Sequence, residues 1–248
     1  MRRLIICFIL ILSGVPSFAQ SKQKADVLYS KDQFSGAAEV YESILRKQGE
    51  SAEIYYNLGN CYYKMNEIPL AILNYERALL LSPADDDVRA NLVLARSKTI
   101  DKAVPPTEMF FVTWWKSLVN CMSINAWTHL ALISFVFCLV GLLVYLFMSS
   151  ITMRKTGLYG AFFLFIIVIV ANLAAYAQSV RINERTTAII IAPAVSVKSS
   201  PSDNSTDLFI IHEGTKVDIL DNSLKGWREV KFEEGKQGWI PKDAIEVI

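Results

Sequence analysis

The sequence predicts a multidomain membrane protein that joins an all-α helical array, two transmembrane helices and a small all-β barrel, and three observations predict it. Residues within the first hundred positions echo one another at a spacing of 34. Two uncharged apolar stretches follow, each near the ~20 residues that carry a helix across a bilayer. The end of the chain breaks into short β-rich runs separated by turns. With 52% hydrophobic residues in a length of 248, the chain is too apolar for a wholly soluble protein of its size.

Taken in order, residues 1–19 read as a secretory signal. Met1-Arg2-Arg3 leads into an apolar run from Leu4 to Leu12, and the small residues of Ser17-Phe18-Ala19 flank a cleavage point before Gln20. The alternative is an uncleaved anchor. No Cys follows Ala19, which speaks against a lipoprotein.

Residues 20–100 carry the echo. Ala25, Leu28, Ala37, Tyr41 and Ile44 stand 34 positions before Gly59, Tyr62, Ala71, Tyr75 and Ala78. In each copy apolar and small residues recur at helical intervals, so two antiparallel helices can bury a shared face. Asn66-Glu67 makes the expected turn, Pro69 falls early in the next helix, and Pro83 ends it. Asp85, Asp86 and Asp87 then start a further helix whose Val88, Leu92 and Ala95 cap the array. Tyr55, Leu58, Gly59, Tyr62, Ala71, Tyr75, Ala78 and Pro83 fall at the consensus spacings of the tetratricopeptide repeat, which this segment resembles.

That resemblance implies a concave surface, lined by the first helix of each pair, that binds peptides or proteins. Its candidate partner-binding residues are Tyr56, Asn57, Asn60, Tyr63, Lys64 and Asn91, with Lys22, Gln23, Asp26 and Tyr29 from the first copy. Asn57 and Asn91 are 34 apart, so both are expected in the groove, where an amide can bond both backbone groups of an extended ligand. The competing reading is a solvated helix face. Asp26 and Ala90 stand where basic residues would clamp a C-terminal carboxylate, so carboxylate capture is not expected.

Residues 101–126 hold a stiff linker with Pro105 and Pro106, then a segment mixing Phe110, Phe111, Trp114 and Trp115 with Lys116 and Asn120. It reads as an amphipathic helix at the outer headgroups. The spans are placed at 127–148 and 157–178. A loop at 149–156 between them carries Arg154 and Lys155, which keeps it cytoplasmic. Both termini are then translocated. Trp127, Tyr145, Tyr159 and Tyr176 suit aromatic belts. Asn172 is expected to bond across to the other span. Neither span contains Asp, Glu, Lys or Arg, which argues against an ion relay.

After a linker at 179–186, residues 187–248 contain β-rich runs at 188–191, 195–198, 208–211, 216–220, 227–232 and 237–240, a density that implies a small barrel. Ala192-Pro193, Val195 to Pro201, Glu213 to Val217, Gly226-Trp227 and Gly238-Trp239-Ile240-Pro241 occur in the order seen in bacterial SH3-like domains, which the segment resembles. It departs from their common Arg-Ser-Gly-Pro with Lys198-Ser199-Ser200-Pro201. Trp227, Trp239 and Pro241 are candidates for a peptide groove, the alternative being packing into the barrel.

The chemistry classes narrow quickly. Net charge is +1, and residues 20–101 (10 Lys/Arg, 12 Asp/Glu) and 179–248 (9 against 11) are both slightly acidic, so there is no nucleic-acid footprint. Of four cysteines, Cys7 leaves with the signal, Cys138 lies in a span, and Cys61 reads as a packed thiol rather than a disulfide or reactive group. His129 and His212 are the two histidines. Neither sits in a nucleophile arrangement or a metal-ligand pattern, so no catalytic residue, metal or cofactor is expected.

The order of signal, repeat pair, Trp-Trp approach, two spans and SH3-like end resembles the BatE-type components of the Bacteroides aerotolerance family. This resemblance implies a non-enzymatic inner-membrane adaptor in an aerotolerance or envelope-stress assembly, beside von Willebrand A-domain proteins and a MoxR-type ATPase. A cell-wall sensor whose SH3-like domain holds murein peptide is the rival reading.

Overall fold

The computed structural model describes residues 16–101, 109–232 and 235–248. Most of the expected signal and the Pro105-Pro106 linker lie outside the described residues. The chain forms two compact units, one containing the helical array and the β portion, the other the two long apolar helices with the helix preceding them.

The array is built from α1 (Pro16–Ser30), α2 (Phe34–Gln48), α3 (Ala52–Lys64), α4 (Ile68–Leu81) and α5 (Asp86–Arg96). The 34-residue echo is a hydrogen-bonded one. Asp32 (φ 58°) and Asn66 (φ 65°) occupy the left-handed region in the two inter-helix turns, a conformation that short polar side chains tolerate. Around them Gln33 N–H donates to Leu28 O (3.0 Å) as Glu67 N–H does to Tyr62 O (2.9 Å), so each helix ends in the same carbonyl-capping turn. In the helix pairs themselves Tyr41 donates to Asp26 and Tyr75 to Asn60, again one repeat apart.

Small residues let the helices meet. Ala25, Ala37 and Ala71 are fully buried, and a Cβ on Gly59 would lie 2.7 Å from the Tyr75 ring. Tyr41, Ile44, Ile54, Leu58 and Cys61 complete the first core. Helix α5 starts where expected, with the Asp85 carboxylate accepting from Asp87 N–H and Val88 N–H at 3.1 Å each. Its Val88, Leu92 and Ala95 are buried, while Val93 and Leu94 stay exposed.

The β portion comprises β1 (Thr187–Ile190), β2 (Ala194–Lys198), β3 (Asp207–His212), β4 (Lys216–Asp221), β5 (Trp227–Lys231), β6 (Gln237–Pro241) and β7 (Ile245–Val247). These form one antiparallel sheet in the order β3-β2-β6-β5-β4-β1-β7. Ala188, Ile190, Val197, Ile211, Val217, Val230 and Ile240 make its core. Gly238 is required by close approach, since a Cβ there would come 2.5 Å from the Val197 side chain. Strand β7 has no counterpart among the runs read from sequence. It is only three residues long and holds its place by pairing with β1.

The second unit contains α6 (Phe110–Asn120), α7 (Ile124–Phe147) and α8 (Ile151–Glu184). Helices α7 and α8 are long and apolar enough to cross a membrane by length and composition. They pack through small residues. A Cβ on Gly141 would meet Gly157 O at 2.9 Å and one on Gly157 would meet Gly141 O at 2.7 Å, and Cys138 Sγ lies 3.3 Å from Ala161 O.

Three details differ from the sequence reading, the first being that α8 runs on through Glu184 and takes up most of the linker expected at 179–186. The connection between the helices is only residues 148–150, because α8 already begins at Ile151. Arg154, expected in a loop, is helical and donates from Nε to Tyr145 O. Asn172 does not reach the other helix. It is exposed and donates to Val168 O of its own helix at 2.8 Å. Gln178 makes the bonds between helices instead, with its buried amide donating to Val119 O and, at 2.7 Å, to Met122 O. Trp127 Nε1 donates to the same Val119 carbonyl at 3.0 Å, so the C-terminal carbonyls of α6 are satisfied by the hairpin.

Candidate partner-binding surfaces

The first helices of successive repeats, α1, α3 and α5, carry the residues expected to line a groove, and a polar network joins several of them. Asn60 Oδ1 accepts from Tyr75 Oη (2.7 Å) and from Asn91 Nδ2 (3.0 Å). The same Asn91 amide donates to Tyr56 Oη at 3.1 Å, and the Tyr56 and Tyr75 rings lie 6.1 Å apart. Burial raises the Tyr75 hydroxyl well above the usual tyrosine range, so it serves as a neutral donor.

The consequence for recognition is specific. Asn91 was expected to offer its amide to a ligand backbone, but its donors hold Tyr56 and Asn60, and it acts as a brace between α3 and α5. The groups left facing outward are Asn57, Tyr63 and Lys64, with Lys64 exposed. Lys98 joins them, its Nζ seated 4.1 Å from the centroid of the Tyr63 ring. Sequence reasoning passed over Lys98 although a signal existed, since it stands 34 residues after Lys64 just as Asn91 follows Asn57. Two lysines at successive repeat positions make this end of the surface cationic. At the other end Lys22 pairs with Asp26 (2.9 Å) and Glu53 (3.0 Å), both exposed enough for water to weaken the pairs.

On the sheet, the strand register gathers the three other candidates. Trp227 stands opposite Pro241, and Trp239 stands opposite Glu229 on one side and Lys198 on the other. Period-2 alternation places Trp227, Glu229, Trp239 and Pro241 on one face, away from buried Val230 and Ile240. All three candidates are half-buried. Lys198 is held by Asp207 at 3.0 Å. The face therefore offers two indoles and a proline beside Glu229, while the Lys198 ammonium is spent on Asp207 and on the Asp203 and Ser205 carbonyls.

A third cluster was invisible in the sequence. Glu76 of α4, its side chain 8% exposed, accepts from Arg96 of α5 and from Lys216 of β4, the latter at 2.7 Å. Arg77 donates to Val247 O (2.6 Å) and to Glu246 (3.1 Å). Asp101 accepts from His212 N–H (2.7 Å) and Thr215 Oγ1 (3.1 Å), and the His212 ring Nδ1 lies 3.1 Å from its other oxygen. Burial alone would raise the Asp101 carboxyl, but these bonds outweigh it and hold the group below its ordinary value. At the same junction a Cβ on Gly214 (φ 80°) would lie 2.6 Å from Thr99. The array and the β portion are thus joined by polar contacts that range from partly buried to exposed, with Glu76 the buried member.

Cys61 is fully buried between helices, and burial pushes its thiol up to about 12. That environment suppresses thiolate chemistry. Among the described residues no cluster of three or more His, Cys, Asp or Glu is arranged to hold a metal ion.

No curated protein matches the chain. The tetratricopeptide repeat family matches residues 52–85, the segment formed by α3, α4 and the approach to α5. Tetratricopeptide repeats are in general non-catalytic modules for protein–protein interaction, and this chain contains one where Tyr56, Asn60 and Tyr75 form the network.

Proposed function

We propose that the chain is a non-enzymatic adaptor, anchored in a bacterial inner membrane by α7 and α8, that gathers partner proteins on two periplasmic surfaces. The observation that carries this reading is the tetratricopeptide match over residues 52–85, whose concave side is braced by Asn91 and leaves Asn57, Tyr63, Lys64 and Lys98 to meet a ligand. The β portion is read as an SH3-like barrel. Arg154 and Lys155 beside the short connection favour a cytoplasmic turn, which leaves both termini on the opposite side. Resemblance of the order of parts to BatE-type proteins suggests von Willebrand A-domain proteins and a MoxR-type ATPase as the surrounding assembly, with an aerotolerance or envelope-stress role.

The array and the β portion share one compact unit, so a test by point substitution is cleaner than deletion. Crosslinking of the native membrane protein, followed by mass spectrometry, is compared between wild type and Tyr63→Ala/Lys64→Ala. Truncating central aromatic or charged anchors commonly costs roughly tenfold or more in affinity. Loss of A-domain partners supports the adaptor, and an unchanged partner set rejects the groove assignment.

One observation favours a second reading, in which the β face holds murein peptide. Trp227, Trp239 and Pro241 lie on one face with Glu229, a pattern suited to a short peptide bearing an amine. Retention of the protein on purified murein, lost with Trp239→Ala, would support it. Absence of retention by the wild type would reject it.

A further inference from the structure

We propose that α6 is a third membrane-embedded element, sunk into one leaflet beside the hairpin with Phe110, Phe111 and Trp114 in lipid; the inference rests on α7 and α8 spanning a membrane. At about 100° per residue, the side chains of α6 fall into three flanks. Val112, Trp115, Leu118 and Val119 form the first, and the last three of these pack in one cluster with Trp127, Ala131, Ala171 and Ala174 of the hairpin. Thr113, Lys116, Ser117 and Asn120 form the second, which is polar throughout. Phe110, Phe111 and Trp114 form the third, and they are 84%, 54% and 66% exposed. The first and third flanks adjoin, so apolar residues cover more than half of the helix circumference and the hairpin occupies only part of that arc.

The bonds of α6 fix its depth and say what covers the open flank. Val119 O accepts from Trp127 and Gln178, which pins the end of α6 to the hairpin at that level. On the polar flank Asn120 Oδ1 accepts from Arg181 at 2.7 Å. Arg181 stands three residues beyond Gln178, where α8 leaves its apolar stretch. The apolar cluster extends the other way, to Ala171, seven residues inside Gln178 and about 10 Å along the helix at ~1.5 Å per residue. Residues 157–178 contain no Asp, Glu, Lys or Arg. The polar flank is thus tied to the charged end of α8 and the apolar arc to its uncharged part. A protein-docking patch is typically rimmed by polar residues, but here they lie on one side only, and the other side adjoins the flank seated on the uncharged hairpin. Lipid is what faces the exposed Leu132, Ile133 and Leu173 of a spanning hairpin, and the same medium covers Phe110, Phe111 and Trp114. An indole, apolar in body with one N–H, suits the boundary between acyl chains and headgroups.

The test reconstitutes the full-length chain, with the exposed Cys121 replaced by Ser, in vesicles of phosphatidylethanolamine and phosphatidylglycerol. A nitroxide is attached to Phe111→Cys, Trp114→Cys or Thr113→Cys, and to Phe137→Cys on the exposed side of α7 as the hydrocarbon reference. Spin-resonance saturation then compares collisions with oxygen, which concentrates in lipid, and with a water-soluble nickel chelate. Labels at 111 and 114 are expected to match 137, keeping oxygen collisions and losing nickel collisions, while 113 retains nickel collisions. Nickel collisions at 111 and 114 equal to those at 113 would place the flank in water, and loss of both kinds of collision would place it under protein. Either result overturns the proposal and leaves the two spans standing, and loss of nickel collisions at 113 as well would overturn the orientation. Nickel collisions at 137 would overturn the spans themselves.

Discussion

Replacing Glu76 by Gln removes one charge and almost no volume from the junction between the array and the sheet. The amide must then turn its NH2 toward either Arg96 or Lys216, leaving a cation facing a donor. Breaking a fully buried ion pair by losing one partner costs about 3–5 kcal/mol. Here Glu76 is 8% exposed but Arg96 and Lys216 are each 37% exposed, so water re-solvates the cations and the expected cost falls to about 2 kcal/mol. For a unit of this size that corresponds to a Tm lower by about 4–8 °C. Thermal unfolding of the full-length protein in detergent reads this directly. A double-mutant cycle with Lys216→Met assigns the loss to the pair. A coupling energy below about 0.5 kcal/mol, the level shown by independent sites, would refute the view that Glu76 joins the two portions.

Other outcomes follow from single contacts. Gly59→Ala pushes a methyl against the Tyr75 ring at 2.7 Å and is expected to cost about 1–3 kcal/mol, whereas Gly160→Ala, inside a helix with nothing within 4 Å, should stabilise by about 0.4–1 kcal/mol; chemical unfolding compares them. Asp101 titrates below its ordinary 3.8 in the folded chain, so its stabilisation is full above that value and is lost as pH falls through the lower folded value. Asp101→Asn should therefore flatten the acid limb of the unfolding curve, and an unchanged limb would count against the contact. A thiol reagent at pH 8 should label exposed Cys121 quickly and leave Cys61 untouched until the array unfolds. With its thiol near about 12, roughly one Cys61 in 10⁴ is ionised at that pH. Rapid labelling of Cys61 in the folded protein would contradict the packed core.

What could be read in advance was local or periodic. The repeat turns needed only Asp32 and Asn66, polar residues able to adopt positive φ, at the same phase of a 34-residue period. The start of α5 needed only the Asp85 cap and the Val88, Leu92, Ala95 stripe. The face shared by Trp227, Trp239 and Pro241 follows from strand alternation once the register of β5 and β6 is known. Strand β7 escaped because three residues carry too little pattern to stand out. The junction escaped for a deeper reason. Glu76, Lys216, Asp101 and His212 are ordinary surface types in sequence, and only the packing of residues more than 100 positions apart turns them into bonded partners.

Asn172 and Gln178 show the same limit within a single helix. Both are amides in an apolar stretch, and composition treats them alike. Which one satisfies the hairpin depends on phase. Six residues advance an α-helix by about 600°, which leaves the two side chains about 120° apart around the axis. Once Gly141, Gly157 and Cys138 fix the contact face, Gln178 falls toward α6 and α7, and Asn172 is carried round to the outside. The hairpin therefore cannot satisfy both amides without giving up its small-residue contact. An amide kept on the outer face is then left to bond within its own helix, as Asn172 does to Val168 O.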